Sequence, residues 1–226
     1  MWSRTLHDHA PRHEELPLTR EEIAAAVPAL TGPARGFREW LAFARAFAAS
    51  PRTVGSIAPS SAALASRICK AAHLRDAKTV IEIGPGTGAV TRHLIRAVGP
   101  GTRLVLLELS GNFAVRLRCE FGSVEVVRGD ALHLRRIAKL HDLDGADTII
   151  SSLPLANLSS ADRTSILKQV RRTLRPGGRF VAFQYGATVL DEVREVFDRT
   201  EVSRVFRNLP PALVYVCTAS ERDPRS

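Results

Sequence analysis

Residues 80–88 read Val-Ile-Glu-Ile-Gly-Pro-Gly-Thr-Gly, an apolar run that passes directly into a turn holding three glycines. So apolar a strand fits burial on both faces of a parallel sheet, and the glycines let the backbone turn sharply and approach a ligand closely. With a helix starting near Ala89, the stretch has the strand–turn–helix form that seats a nucleotide-type cofactor. A chain built around it must be α/β.

Two cofactors fit such a turn. Gly84, Gly86 and Ala89 satisfy the loose dinucleotide fingerprint, in which alanine is allowed at the third position and an acidic residue follows about 20 residues later. Glu82, two residues before the first glycine, and Gly88 extend the pattern to Glu-x-Gly-x-Gly-x-Gly. This resembles motif I of the class I S-adenosylmethionine (SAM) methyltransferases.

At 226 residues with 45% apolar content, the chain suits one α/β domain with an N-terminal extension. The first fifty residues balance six arginines against six carboxylates, so the net charge of +9 lies in the remainder. A basic surface favours polyanions, nucleic acid or an anionic membrane face; it also serves simply as a solubilising surface. Cys69, Cys119 and Cys217 are widely spaced, which suggests neither a disulfide framework nor a zinc site, and we expect no bound metal and a reducing compartment. No run approaches the roughly 20 apolar residues of a membrane span, nor is a secretory leader evident. A soluble or peripheral protein is expected.

Residues 1–34 read as a flexible extension containing His7, His9 and His13 without periodicity, and 220–226 as a frayed tail. In 35–49, Phe37, Trp40, Leu41, Ala44, Phe47 and Ala48 form one helical stripe flanked by Arg35 and Arg52. Such a helix either lies in a membrane interface or packs on the sheet domain. A Gly/Pro/Ser-rich connector over 51–61 leads to a helix over 62–72, with Ser60 or Ser61 as its N-cap. Residues 35–77 thus precede a methyltransferase-type domain over 78–219. There strands are expected at 79–83, 103–108, 124–128, 147–152, 179–185, 202–207 and 212–218, with helices between. The turn Asn208-Leu209-Pro210-Pro211 makes the last two strands antiparallel neighbours. The expected fold is Rossmann-like, a seven-stranded, mostly parallel sheet with an antiparallel last strand and ligands at the strands' carboxyl ends.

Each part of SAM has a candidate partner at a strand end. Glu108 closes the second strand, where a carboxylate accepts from both ribose hydroxyls. Asp130, in Gly129-Asp130-Ala131, either accepts from the adenine amino group or caps the next helix. Glu82 and the glycines Gly84, Gly86 and Gly88 fall beside the methionine part, with Glu82 reaching its amino group directly or through water. The resemblance further implies that the connector folds over the cofactor, bringing Ser56 and Ser60 to it; capping alone also accounts for these serines. Arg175-Pro176-Gly177-Gly178, a helix stop and turn common in these enzymes, completes an ordered set over 80–180.

The fourth strand ends in Ser152-Leu153-Pro154-Leu155, where amino-group methyltransferases carry an Asn/Asp/Ser-x-Pro-aromatic tetrad. In that family the first residue and the next backbone carbonyl accept from the target amine, which implies such roles for Ser152 and Leu153. Leu155 cannot stack a base, which counts against the ribosomal RNA adenine dimethylases, similar through Ile-Gly-Pro-Gly-Thr-Gly. Ser-x-Leu-Pro-Leu-x-Asn, with Thr53 to Ser60, Phe183-Gln184-Tyr185-Gly186 and Asn208 to Ala212, is similar to the soluble bacterial phospholipid N-methyltransferases. These methylate phosphatidylethanolamine towards phosphatidylcholine. That resemblance implies an aminophospholipid substrate, docking of the 35–49 helix on anionic membrane and a place at the cytoplasmic membrane face. Ornithine-lipid methyltransferases look alike at these motifs. Tyr185 either contacts the amine or is a core residue. A nucleic-acid amino-methyltransferase, a small-amine methyltransferase and a non-catalytic binding module are the alternatives.

Overall fold

The computed structural model describes residues 57–206 and 211–220. Helix α1 (Ile57–Ala71) leads to β1 (Thr79–Ile83), followed by α2 (Thr91–Ala97), β2 (Arg103–Glu108), α3 (Gly111–Glu120) and β3 (Glu125–Arg128). A 3-10 turn (Ala131–His133) opens α4 (Leu134–Leu140), and β4 (Ala146–Ser151) is followed by a second such turn (Leu155–Asn157). Then come α5 (Ser160–Thr173), β5 (Leu174–Gln184), α6 (Leu190–Val196), β6 (Arg199–Val205) and β7 (Ala212–Thr218).

The seven strands form one sheet in the order β3-β2-β1-β4-β5-β7-β6. The first five are parallel, and β7 inserts antiparallel between β5 and β6. The expected sheet is therefore present, antiparallel end included. Alternation along each strand splits the core in two. Val80, Leu104, Leu106, Ile150 and Val214 pack under α1, α2 and α3. Ile81, Val105, Ile149, Phe180 and Tyr215 pack under α4, α5 and α6. A small cavity lined by Ile81, Val105, Leu107, Leu134 and Ala138 lies inside the second layer and is wholly apolar.

Several boundaries differ from expectation, β6 for example running Arg199–Val205 instead of 202–207. Helix α1 begins at Ile57, so Ser60 and Ser61 lie within it instead of capping it; the apolar pattern of 62–72 marked only its packed part. Helix α4 begins through a 3-10 turn at Ala131, because Asp130 Oδ1 accepts from Leu132 N at 2.9 Å and tightens the entry. Arg175-Pro176-Gly177-Gly178 is a bulge within β5: Ala146 pairs Leu174, yet Thr148 pairs Arg179. There Gly177 N donates to Ala219 O, and Gly178 O accepts from Ala219 N, so β5 stays attached to the chain after β7. The expected 35–49 helix, Ser56, Arg35, Arg52 and the turn residues Asn208-Leu209-Pro210 lie outside the described residues. Among the described residues no helix is long and apolar enough to cross a membrane.

Candidate functional site

The parallel register brings two carboxylates together at neighbouring strand ends. Glu82 in β1 pairs with Leu106 and Ile83 with Leu107, which puts Glu108 one step further along β2. Alternation turns both toward the layer of α1, α2 and α3, as it does Val80 and Leu106. Glu82 is 0% exposed and Glu108 6%.

Each is held by short-range donors. Thr91 Oγ1 donates to Glu82 Oε2 at 2.6 Å, and Ser152 Oγ donates to Glu82 Oε1 at 2.8 Å. Burial pushes the Glu82 carboxyl up to about 7 against the pull of those two hydroxyls, and the nearby Glu108 charge adds to the rise. Gly86 N donates to Glu108 Oε2 at 3.0 Å and Ser110 N to Oε1 at 2.8 Å. Burial also raises the Glu108 carboxyl, while these amides favour its charged form.

The glycine turn divides its work. Gly84 has φ +69°, and a Cβ there would come within 2.3 Å of Leu153 Cδ2, so the turn and the loop after β4 are in direct contact. Gly88, also left-handed, packs as closely against the Phe121 ring. Gly86, at φ +54°, would meet nothing within 4 Å. The turn is therefore tight on both flanks and open at its crest.

An open crest beside Glu108 fits a ribose-bearing cofactor. An ionised carboxylate has about four acceptor positions, and the backbone amides leave capacity for a diol. Asp130, at the end of β3, is half-buried and uses Oδ1 as a cap, the alternative function weighed for it. Ser152 is half-buried, directly after β4. Tyr185 follows β5 and is 54% exposed, with its ring edge-on to Phe183, so it is not a core residue.

Two expectations need correction. The Leu153 carbonyl already accepts from Gln184 Nε2 at 3.0 Å and from Leu155 N at 2.9 Å, so its two lone pairs are engaged and it is not open to an amine. Leu153 contributes packing against Gly84 instead. Glu82 is fully buried with Thr91 and Ser152 on its oxygens, so of its two expected routes to the methionine amino group the direct one is closed and the one through water stays open. Ser60 lies in α1, and Ser56 outside the described residues.

Sequence reasoning missed the roles of four residues that hold this site, one of which, Gln184, it had named only as part of a motif. Thr91, three residues past Gly88, turns its hydroxyl onto Glu82 from the first turn of α2. Ser110 supplies the amide on Glu108 and accepts from Phe113 N as the N-cap of α3. Gln184 ties Leu153 O and Ala156 N to the end of β5, and Arg163 donates to Leu155 O and Leu158 O. A buried Gln at the end of an apolar strand was the one visible signal.

Sheet order, the acid pair and the open glycine crest define a class, and a family model described as a methyltransferase domain matches residues 81–180. The chain belongs to the class I SAM-dependent methyltransferases, and its cofactor is SAM. More particularly, it is 33% identical over 170 residues to an ornithine lipid N-methyltransferase of Singulisphaera acidiphila, covering 73% of this chain and 88% of that protein. It is also 33% identical over 122 residues to the ribosomal RNA small subunit methyltransferase A of Synechococcus elongatus, spanning 51% of this chain but 42% of that one. In structure it resembles the N-methyltransferase NodS of Bradyrhizobium japonicum, solved with S-adenosylhomocysteine, at TM-score 0.57 and 14% identity over 75% and 92% of the two chains. That likeness speaks for the fold.

Proposed function

We propose that the enzyme methylates the primary amine of an aminolipid head group at a membrane surface. The observation that carries this is the end of β4. Ser152 presents a half-buried hydroxyl there, while Leu155, at 0% exposure, leaves no surface on which a nucleobase stacks. A site with one polar contact and no aromatic platform suits an amine on a flexible head group better than a base. The relative named for ornithine lipid supports the lipid class. Phosphatidylethanolamine also presents a primary amine, and both belong to this reading.

When bound, SAM supplies the electrophilic methyl group. Glu108 would hold its ribose, Asp130 its adenine amino group, and the Gly84–Gly86–Gly88 turn its methionine part. Ser152 would accept from the amine, and the Tyr185 ring would meet a methylated ammonium. Residues 35–49 would dock on anionic lipid at the cytoplasmic face.

The test is mass spectrometry of vesicles containing phosphatidylethanolamine, phosphatidylglycerol and ornithine lipid after incubation with enzyme and SAM. Methylated head groups are expected. No lipid product, with SAM bound and ribosomal RNA methylated in parallel, would move the acceptor to RNA, as the net charge of +9 and the ribosomal relative favour.

A further inference from the structure

Among the described residues, the Glu82 carboxylate meets the strand-end surface through one group. Its Oε2 accepts a hydrogen bond from Thr91, which is itself fully buried, and its Oε1 accepts one from Ser152, which is half-buried. Among the described residues the other titratable neighbours are Glu108 on β2 and Cys69 on α1, whose thiol is pushed up to about 11 by burial and then by the Glu82 charge. Neither is a cation that would hold Glu82 ionised. The carboxylate is thus placed to accept a proton, and among the described residues the Ser152 hydroxyl is the group that stands between it and the acceptor side.

We propose that Ser152 and Glu82 form a proton relay that deprotonates the acceptor ammonium before methyl transfer. It rests on the reading that the acceptor is a primary amine, which near neutral pH is mostly protonated and has no lone pair to attack with. An ammonium proton passes to Ser152 Oγ as the Ser152 hydroxyl proton passes to Glu82 Oε1. This leaves a neutral amine, an intact serine and a neutral carboxylic acid. The amine lone pair then forms the N–C bond while the S–C bond breaks and its electron pair stays on sulfur. The proton on Glu82 leaves by the same hydroxyl once product has gone. Burial sets the Glu82 carboxyl at about 7, where such a group works at neutral pH.

The experiment compares wild type, Ser152→Ala, Ser152→Thr and Glu82→Gln. For each, kcat/KM on the amine lipid is measured against pH, with the SAM dissociation constant and, in SAM-free protein, the NMR titration of the Glu82 carboxyl carbon. Wild type should show an acid limb matching the Glu82 titration and then a plateau. Ser152→Ala should lose about 1,000-fold near neutrality and rise about tenfold per pH unit towards the amine pKa near 10, with SAM affinity unchanged. Ser152→Thr should restore the plateau, and Glu82→Gln should lack the limb. The Glu82 midpoint should move upward in Ser152→Ala, a readout that needs no substrate. A wild-type pH profile in Ser152→Ala, or an unmoved Glu82 midpoint, would overturn the relay. Absence of lipid turnover by wild type would instead overturn the proposed substrate, while the titration still decides whether the two groups are linked.

Discussion

Gln184 Nε2 donates to the carbonyl oxygen of Leu153 at 3.0 Å, and Gln184 Oε1 accepts from Ala156 N at 3.3 Å. One buried amide at the end of β5 thereby fixes both sides of the loop that follows β4. Because Leu153 also fills the space against Gly84, the same amide sets where the glycine turn meets the acceptor loop. Gln184→Leu keeps the bulk and removes both bonds, leaving Ala156 N without its acceptor. A buried group left unpaired costs about 1–3 kcal/mol. The variant should lose that much in denaturant unfolding and show a lower kcat with an unchanged SAM dissociation constant. Equal losses in both kinetic and binding constants would mean that the loop is not independently held.

Gly84 and Gly86 share a left-handed backbone but should fail differently. Alanine strains each by roughly 1–2 kcal/mol. Gly84→Ala also drives a methyl into Leu153, so its main effect should be a lower unfolding midpoint. Gly86→Ala meets no protein atom and fills the open crest, so SAM affinity should fall further than stability. Calorimetric binding beside thermal melts separates the two. A Gly86→Ala protein with native SAM affinity would remove the crest from the cofactor site.

Glu82 makes folding sensitive to pH. In the unfolded chain its carboxyl has the ordinary value of 4.5, and in the fold about 7. Between these values the folded state holds a proton that the unfolded state has lost. Stability therefore falls as pH rises from 4.5 to 7 and levels off above, by on the order of 3 kcal/mol from this group. Glu82→Gln cannot ionise and should lack that fall. Urea unfolding of both proteins across the window checks it, and parallel curves would show that Glu82 titrates normally.

Much of this fold was readable because continuous apolar runs and glycine turns report local structure directly. Strands Thr79–Ile83, Arg103–Glu108 and Ala212–Thr218 coincide with the expected bounds. What was not readable depends on contacts between distant segments. The sequence places Glu82 and Ser152 seventy residues apart, and nothing in either motif says that their side chains bond. The Leu153 carbonyl was expected to be open because the tetrad alone does not reveal Gln184 across the next strand. Helix α1 was read as starting late because its first turn carries no apolar period, yet the chain is already helical at Ile57.

Glu108 offers the sharpest test of the cofactor side, because both its oxygens accept from backbone amides, Gly86 N on one and Ser110 N on the other. Glu108→Gln preserves size but must turn an NH2 group toward one of those N–H donors, whichever way the amide is flipped. The substitution therefore breaks a bond, creates a donor–donor contact and removes the charge that would accept from a diol. Hydrogen bonds to a charged group are worth about 1.5–3 kcal/mol, so SAM affinity should fall about 10- to 150-fold. Glu108→Asp keeps two acceptor oxygens on a shorter stem and should recover part of the affinity. Titration calorimetry on the three proteins decides the matter: an unchanged dissociation constant in Glu108→Gln would take the ribose away from this carboxylate, and with it the orientation of SAM across the strand ends.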